Sequence, residues 1–180
     1  PGVLTKEEVN ILLAKAKILK ATWADIWAFG IFTAMRSGEM YALLRQDIDL
    51  DNKLISVTKS FNKKIGVKST KSGRNRRVPI ADKLVPIIQK YMLGPKDEPL
   101  LPRPYEWKKG NQAKILREFC TGIGITPIKF HDLRATAITH LFIQGASIAE
   151  VQAIVGHVDI KTTQRYLRLA GVDVAGGTNK

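Results

Sequence analysis

Apolar residues return along the first twenty positions at helical spacing. Val9, Leu12, Leu13, Ala16 and Leu19 define one stripe, and Thr5 with Glu8 supplies a T-x-x-E start signal. A denser apolar stretch over about 22–35, with Trp23, Trp27, Phe29, Ile31 and Phe32, predicts a second helix, and a short one follows near Gly38–Leu44. The pattern changes over 53–80. LISV and RRVPI read as strands, and KSFNKKIGVKSTKSGRN between them is polar, basic and glycine-bearing. This predicts a hairpin or small antiparallel sheet with a long exposed loop or a third strand. A helix over 82–93, a Pro-rich connection from Gly94 to Pro104, and helices near 108–121, 132–144, 147–155 and 160–169 complete the chain. Ser147 and Glu150 repeat the S-x-x-E cap. Leu100 and Leu101 argue against a flexible linker, and no internal repeat or low-complexity tract interrupts the chain. The expected class is α+β and mainly helical, with a small antiparallel three-stranded sheet or hairpin. It would form one domain over 1–180 with a glycine-rich tail over 170–180.

Charge adds a partner. The 180 residues carry 29 Lys+Arg against 16 Asp+Glu, a formal net charge of +13. Such an excess points to a polyanion, and nucleic acid comes first, because basic side chains that neutralise phosphates release counterions. A membrane surface has less support. No apolar run approaches the roughly 20 residues of a spanning helix, and PGVLTKEEVN does not read as a signal peptide. The lone cysteine, Cys120, has no internal partner, which fits a reducing cytosol, and its setting in ILREFC reads as a buried small residue.

Metal chemistry finds no donor set. Neither H-x-x-x-H nor C-x-x-C occurs. The run DIDLDN resembles the start of a calcium loop, but a loop from Asp47 needs Gly at its sixth position and Glu at its twelfth, where Asn52 and Thr58 stand. A polar turn is the expectation there. No metal and no cofactor are expected.

The C-terminal third is denser in chemistry. His131 and Arg134 lie three apart in H-D-L-R, on one face of a helix. His157 follows Gly156, and Tyr166 comes nine residues later beside Lys161, Arg165 and Arg168. Upstream, Arg36 and Glu39 lie three apart in MRSGEM, and Lys71 sits in the basic stretch. Each alone has a bland explanation: a surface cation, a helix cap, a core tyrosine with a wet hydroxyl. Together they meet one requirement. Cleaving a phosphodiester without a metal needs fixed positive charge on the non-bridging oxygens, a nucleophile, a base, and an acid for the leaving oxygen.

The order Arg…Lys…His-x-x-Arg…His…Tyr resembles the tyrosine recombinases, or phage integrases. TAMRSGEMYALLRQDIDL, STKSGRNRRVPI, HDLRATAITH and VGHVDIKTTQRYLRL carry the resemblance, which runs from about Thr5 to Leu169. It implies that Tyr166 attacks the scissile phosphate and forms a 3′-phosphotyrosyl bond, and that Arg36 and Arg134 hold the phosphate. Lys71 would protonate the leaving 5′ oxygen, His131 would move the tyrosine proton, and His157 would hydrogen-bond the phosphate. Glu39 would be the acidic residue that braces the active site near the first arginine. Lys59, Lys63, Lys64, Lys68 and Arg74 would contact DNA, and any of these lysines competes with Lys71 for the acid role. Ala135 stands where the family often has a second histidine.

The resemblance further implies double-stranded DNA attachment sites as substrate, a tetramer on DNA, and accessory DNA-bending or directionality proteins. It implies a bacterial, cytoplasmic and nucleoid-associated setting. It also implies a DNA-clamping N-terminal domain, which this chain lacks if it begins where the catalytic domain begins. Two rivals remain: a type IB topoisomerase with the same chemistry, and a non-enzymatic regulator that reads residues 134–156 as a helix-turn-helix around Gly145.

Overall fold

The computed structural model describes residues 2–69, 75–156 and 159–171. Nine α-helices occur among them: α1 (Lys6–Ile18), α2 (Ala24–Thr33), α3 (Ser37–Ala42), α4 (Val85–Tyr91), α5 (Tyr105–Lys108), α6 (Gln112–Ile123), α7 (His131–Ile143), α8 (Ile148–Val155) and α9 (Ile160–Leu169). The strands are β1 (Ile48–Asp49), β2 (Leu54–Val57), β3 (Lys59–Asn62), β4 (Gly66–Ser69) and β5 (Arg76–Pro79). The mainly helical α+β class is thus observed.

Both sheet alternatives are present at once. β1, β2 and β5 form a three-stranded antiparallel sheet, and β3 with β4 forms a separate hairpin between its second and third strands. In the sheet, Ile55 pairs with Val78 and both are buried, so the inner face is apolar. The hairpin has little core of its own. The Asn62 side-chain oxygen accepts the Lys64 N–H at 2.8 Å to close its turn, and β3 leans on α3. Gly38 makes that approach possible: a Cβ on it would meet the Phe61 carbonyl oxygen at 2.4 Å and the Ser60 Oγ at 2.7 Å. The Tyr41 and Phe61 rings then stack with centroids 4.3 Å apart.

Helix α1 starts at the Thr5–Glu8 capping box, with Val9, Leu12 and Ala16 inward. Leu19 departs from the expected stripe. It lies just past the helix end and is 59% exposed. The helix expected over 108–121 is two helices, broken at Gly110, whose φ of +85° permits the turn. The segment 82–93 begins as a turn of 3₁₀ helix over Asp82–Leu84 before α4. Leu100 and Leu101 of the Pro-rich connection are buried, as is Cys120, whose thiol is pushed up by burial.

Helices α2 and α7 form the centre. Seven of the ten residues of α2 are buried, as befits a helix with apolar residues on most of its faces. On one side, α1, α6, the sheet and the 100–107 segment complete a large core. On the other, Ala34, Ala135, Ala137, Ile138 and Phe142 pack with Val151 and Val155 of α8 and with Tyr166 and Ala170. Ala135 is therefore core filling in the second cluster. Arg134 emerges from α7 between Leu133, in the first cluster, and Ala135, in the second.

Candidate active site

The turn from α2 to α3 creates the first arginine's position. α2 ends at Ala34, which adopts the left-handed conformation (φ 59°, ψ 17°) that costs a non-glycine residue on the order of 1 kcal/mol. The chain then extends through Arg36, the N-cap of α3. Glu39, one turn into α3, reaches back and accepts the Arg36 backbone N–H at 2.9 Å. The Arg36 guanidinium lies 3.5 Å from the same carboxylate, and its side chain is 41% exposed against 4% for Glu39. The pair thus has a buried acid and a solvent-facing base.

Arg134 is fixed from beneath. Its guanidinium donates to the carbonyl of Ala34 and, at 2.8 Å, to the carbonyl of Val155. It is therefore tied both to the turn that presents Arg36 and to the last turn of α8. Burial and the nearby Arg36 and Arg76 cations bring its pKa down to about 10, while Glu39 and Tyr166 pull the other way. That leaves it protonated by about a thousandfold at pH 7. Two guanidiniums close enough to disfavour each other's charge are a receptor for a tetrahedral oxyanion, which relieves the repulsion and accepts from both.

His131 is the first residue of α7, one turn before Arg134, and is exposed. Partial removal from water lowers its pKa below the ordinary 6.5, and the Arg134 and Arg36 charges lower it further against Asp132. Its ring is neutral at pH 7 and able to accept a proton. Tyr166 projects from α9 into the second apolar cluster and is 6% exposed. The Arg165 guanidinium lies 5.5 Å from its ring centroid. Core packing and proximity to arginine therefore coexist in one tyrosine.

One residue of this assembly escaped the sequence reading. Arg76, on β5, is 6% exposed, and its guanidinium grips both Glu39 carboxylate oxygens at 2.8 and 2.9 Å. Its Nε donates to the Ile154 carbonyl at 2.8 Å. Burial pushes the Glu39 carboxyl up, but the hydrogen bonds and charge of Arg76, then those of Arg36, hold it below its ordinary value. A signal for Arg76 did exist. In R-R-V-P, residues two apart share a face, so an inward Val78 carries Arg76 inward and demands a buried anion.

The basic hairpin places its lysines differently. Lys59 is paired with Asp47 at 3.1 Å and largely covered. Lys63 donates to the Lys109 carbonyl at 3.3 Å from the hairpin turn, and Lys64 and Lys68 are exposed. Lys71, Arg74 and His157 lie outside the described residues. The DIDLDN segment is a set of polar turns: Asp47 accepts the Leu44 N–H at 2.9 Å, and Asp49 accepts from Asn52. Among the described residues, no three His, Cys, Asp or Glu side chains group as a metal site. No described helix is long and apolar enough to cross a membrane.

The domain thus gathers two arginines, a histidine, a glutamate and a tyrosine at the seam of two cores. Its family follows from comparison. The profile of the phage integrase family matches residues 2–171, and the chain belongs to that family, the tyrosine recombinases. Tyrosine recombinase XerA of Saccharolobus solfataricus is 32% identical over 137 residues, 76% of this chain and 42% of that protein. The chain spans about half the length of the curated relatives it matches. The fold is shared with the catalytic domain of bacteriophage HP1 integrase, at TM-score 0.64 and 22% identity over 99% of this chain and 94% of that one. It is also shared with the Tn1549 transposon integrase in complex with circular intermediate DNA, at TM-score 0.78 and 18% identity over 92% of this chain and 62% of that one.

Proposed function

We propose that this chain is the catalytic domain of a site-specific DNA recombinase that breaks and rejoins strands through a 3′-phosphotyrosyl intermediate on Tyr166. The observation that carries the proposal is convergence: Arg134 bonds the carbonyl of Ala34, two residues before Arg36, and that of Val155, in the cluster that holds Tyr166, with His131 one turn earlier on the same helix. A phosphate held by the two arginines would have a nucleophile in Tyr166 and a proton acceptor in His131 beside it.

In this mechanism the Tyr166 phenol gives its proton to neutral His131 as its oxygen attacks phosphorus. The bond from phosphorus to the 5′ oxygen breaks, and Lys71 protonates that leaving oxygen. His157 hydrogen-bonds a non-bridging oxygen. One phosphodiester becomes one phosphotyrosyl ester, so bond energy is conserved and a 5′-hydroxyl from a partner strand reverses the step. The substrate would be double-stranded attachment-site DNA, with Lys63, Lys64, Lys68 and Arg74 on its backbone. Exchange between duplexes calls for a tetramer on DNA, with accessory bending or directionality proteins acting around it.

A nicked suicide substrate, whose cleaved end diffuses away, tests the proposal. Wild-type protein accumulates a covalent protein–DNA adduct, and Tyr166→Phe binds the same DNA without forming one. An adduct that persists in Tyr166→Phe overturns it.

A further inference from the structure

Three segments that carry the proposed chemistry come from distant parts of the chain: α3 with Arg36, the segment following β4 with Lys71, and the segment following α8 with His157. One side chain touches the described frame of all three. Arg76 is in β5, two residues beyond the end of the 70–74 segment that holds Lys71. Its guanidinium makes two bonds to Glu39 of α3, and its Nε bonds the Ile154 carbonyl in the last turn of α8. It also lies against Gly156, the residue before His157. A Cβ there would meet the Arg76 guanidinium at 3.1 Å, and Gly156 has a φ of +87°. Arg134 takes the neighbouring carbonyl, Val155, so two buried cations close the C-terminal end of α8, where the helix dipole is negative.

We propose that Arg76 is a positioning residue of the cleavage site. Its guanidinium clamps Glu39 and the end of α8, and through them sets Arg36 and the segment leading to His157 around one phosphate. The inference rests on the recombinase reading above and adds to it a residue that touches neither DNA nor the reacting atoms. The charges facing Glu39 are Arg36 from the start of its own helix, Arg76 from β5 and Arg134 from α7. Arg76 supplies the largest favourable contribution to keeping the buried carboxylate ionised. With Arg76 gone, the largest contribution opposing burial is lost and the Glu39 carboxyl moves upward. A protonated Glu39 loses its ion pair with Arg36 and part of its capacity to accept the Arg36 N–H, so its hold on the first arginine weakens.

The test is single-turnover cleavage of the suicide substrate between pH 6 and 8, with DNA affinity measured in parallel. In Arg76→Met the rate relative to wild type should fall further at pH 6 than at pH 8, by up to about tenfold per pH unit for one titrating proton, while DNA affinity changes little. Adding Glu39→Gln should flatten that ratio, because the titrating group is gone. Arg76→Lys keeps a charge but not the fork, so it should show a flat ratio and a loss of about tenfold from misplacement. A ratio for Arg76→Met that does not vary with pH overturns the inference, as does a double variant that keeps the pH dependence. Should Arg76→Met fail to fold, Arg76→Lys decides: cleavage at the wild-type rate overturns the inference. If wild-type protein forms no adduct, the recombinase reading itself fails, an outcome distinct from a wild-type adduct with indifferent Arg76 variants.

Discussion

Gly38 offers a prediction whose size follows from the geometry. It lies two residues after Arg36, and β3 passes directly over it. A Cβ at this position would sit 2.4 Å from the Phe61 carbonyl oxygen, where ordinary contact begins near 3.4 Å. Backbone is in the way, so relief requires α3 and the hairpin to separate by about 1 Å, and the hairpin leads into the segment with Lys71. A displacement of about 1 Å in a supporting element costs on the order of 10²-fold in rate, or about 2.7 kcal/mol of barrier. Overpacking would lower stability by about 1–3 kcal/mol. The assay is single-turnover adduct formation by Gly38→Ala, with thermal unfolding alongside. Gly122→Ala is the control. Gly122 lies within α6 with open space around its Cβ position, so the change should leave cleavage intact and raise stability by up to about 1 kcal/mol. Wild-type cleavage and an unchanged Tm in Gly38→Ala would refute the claim that hairpin contact sets the site.

Other outcomes follow from single side chains. Arg134→Lys should slow cleavage by about 10²–10³-fold and lower Tm, since one ammonium cannot serve both the Ala34 and Val155 carbonyls; equal stability and rate would contradict the role drawn for its fork. Because the folded pKa of His131 lies below 6.5, the unfolded chain takes up that proton first as pH falls. The contribution of His131 to stability is present above pH 6.5 and is lost on acidification through its folded pKa, so the stability difference between wild type and His131→Asn should shrink from pH 7.5 to pH 5. Lys71→Ala should recover most of its lost cleavage on a substrate with a 5′-bridging sulfur, whose thiolate leaves without an acid; rescue at Lys68 instead would move the role there.

Local features of the fold were legible in the sequence because their causes are local. The Thr5–Glu8 and Ser147–Glu150 boxes, the apolar run of α2 and the β2 and β5 strands each depend on residues a few positions apart. The second sheet was only half legible. The KSFN…GVKS stretch has little apolar alternation, and its pairing is held by α3 through Gly38 and Tyr41, which are distant in sequence. The candidate site divides in the same way. Arg36, Glu39, His131, Arg134 and Tyr166 fall in motifs whose chemistry can be weighed as a set. Arg76 falls in no such motif, because its acid is 37 positions away and its second partner is a backbone carbonyl, which no sequence pattern marks. Ala34 was equally silent, since a left-handed turn at alanine is imposed by the packing around it and by the Arg134 bond.

The nucleophile is the centre of the account, and its covalent bond can be read directly. Protein trapped on a suicide substrate in the presence of EDTA is digested with nuclease and protease, and the modified peptide is sequenced by mass spectrometry. The expected product is one nucleotide joined through a 3′-phosphate to Tyr166 in the peptide derived from IKTTQRYLRL. A 5′ linkage, a phosphate on another residue, or an adduct that forms only when a divalent metal is restored would contradict it.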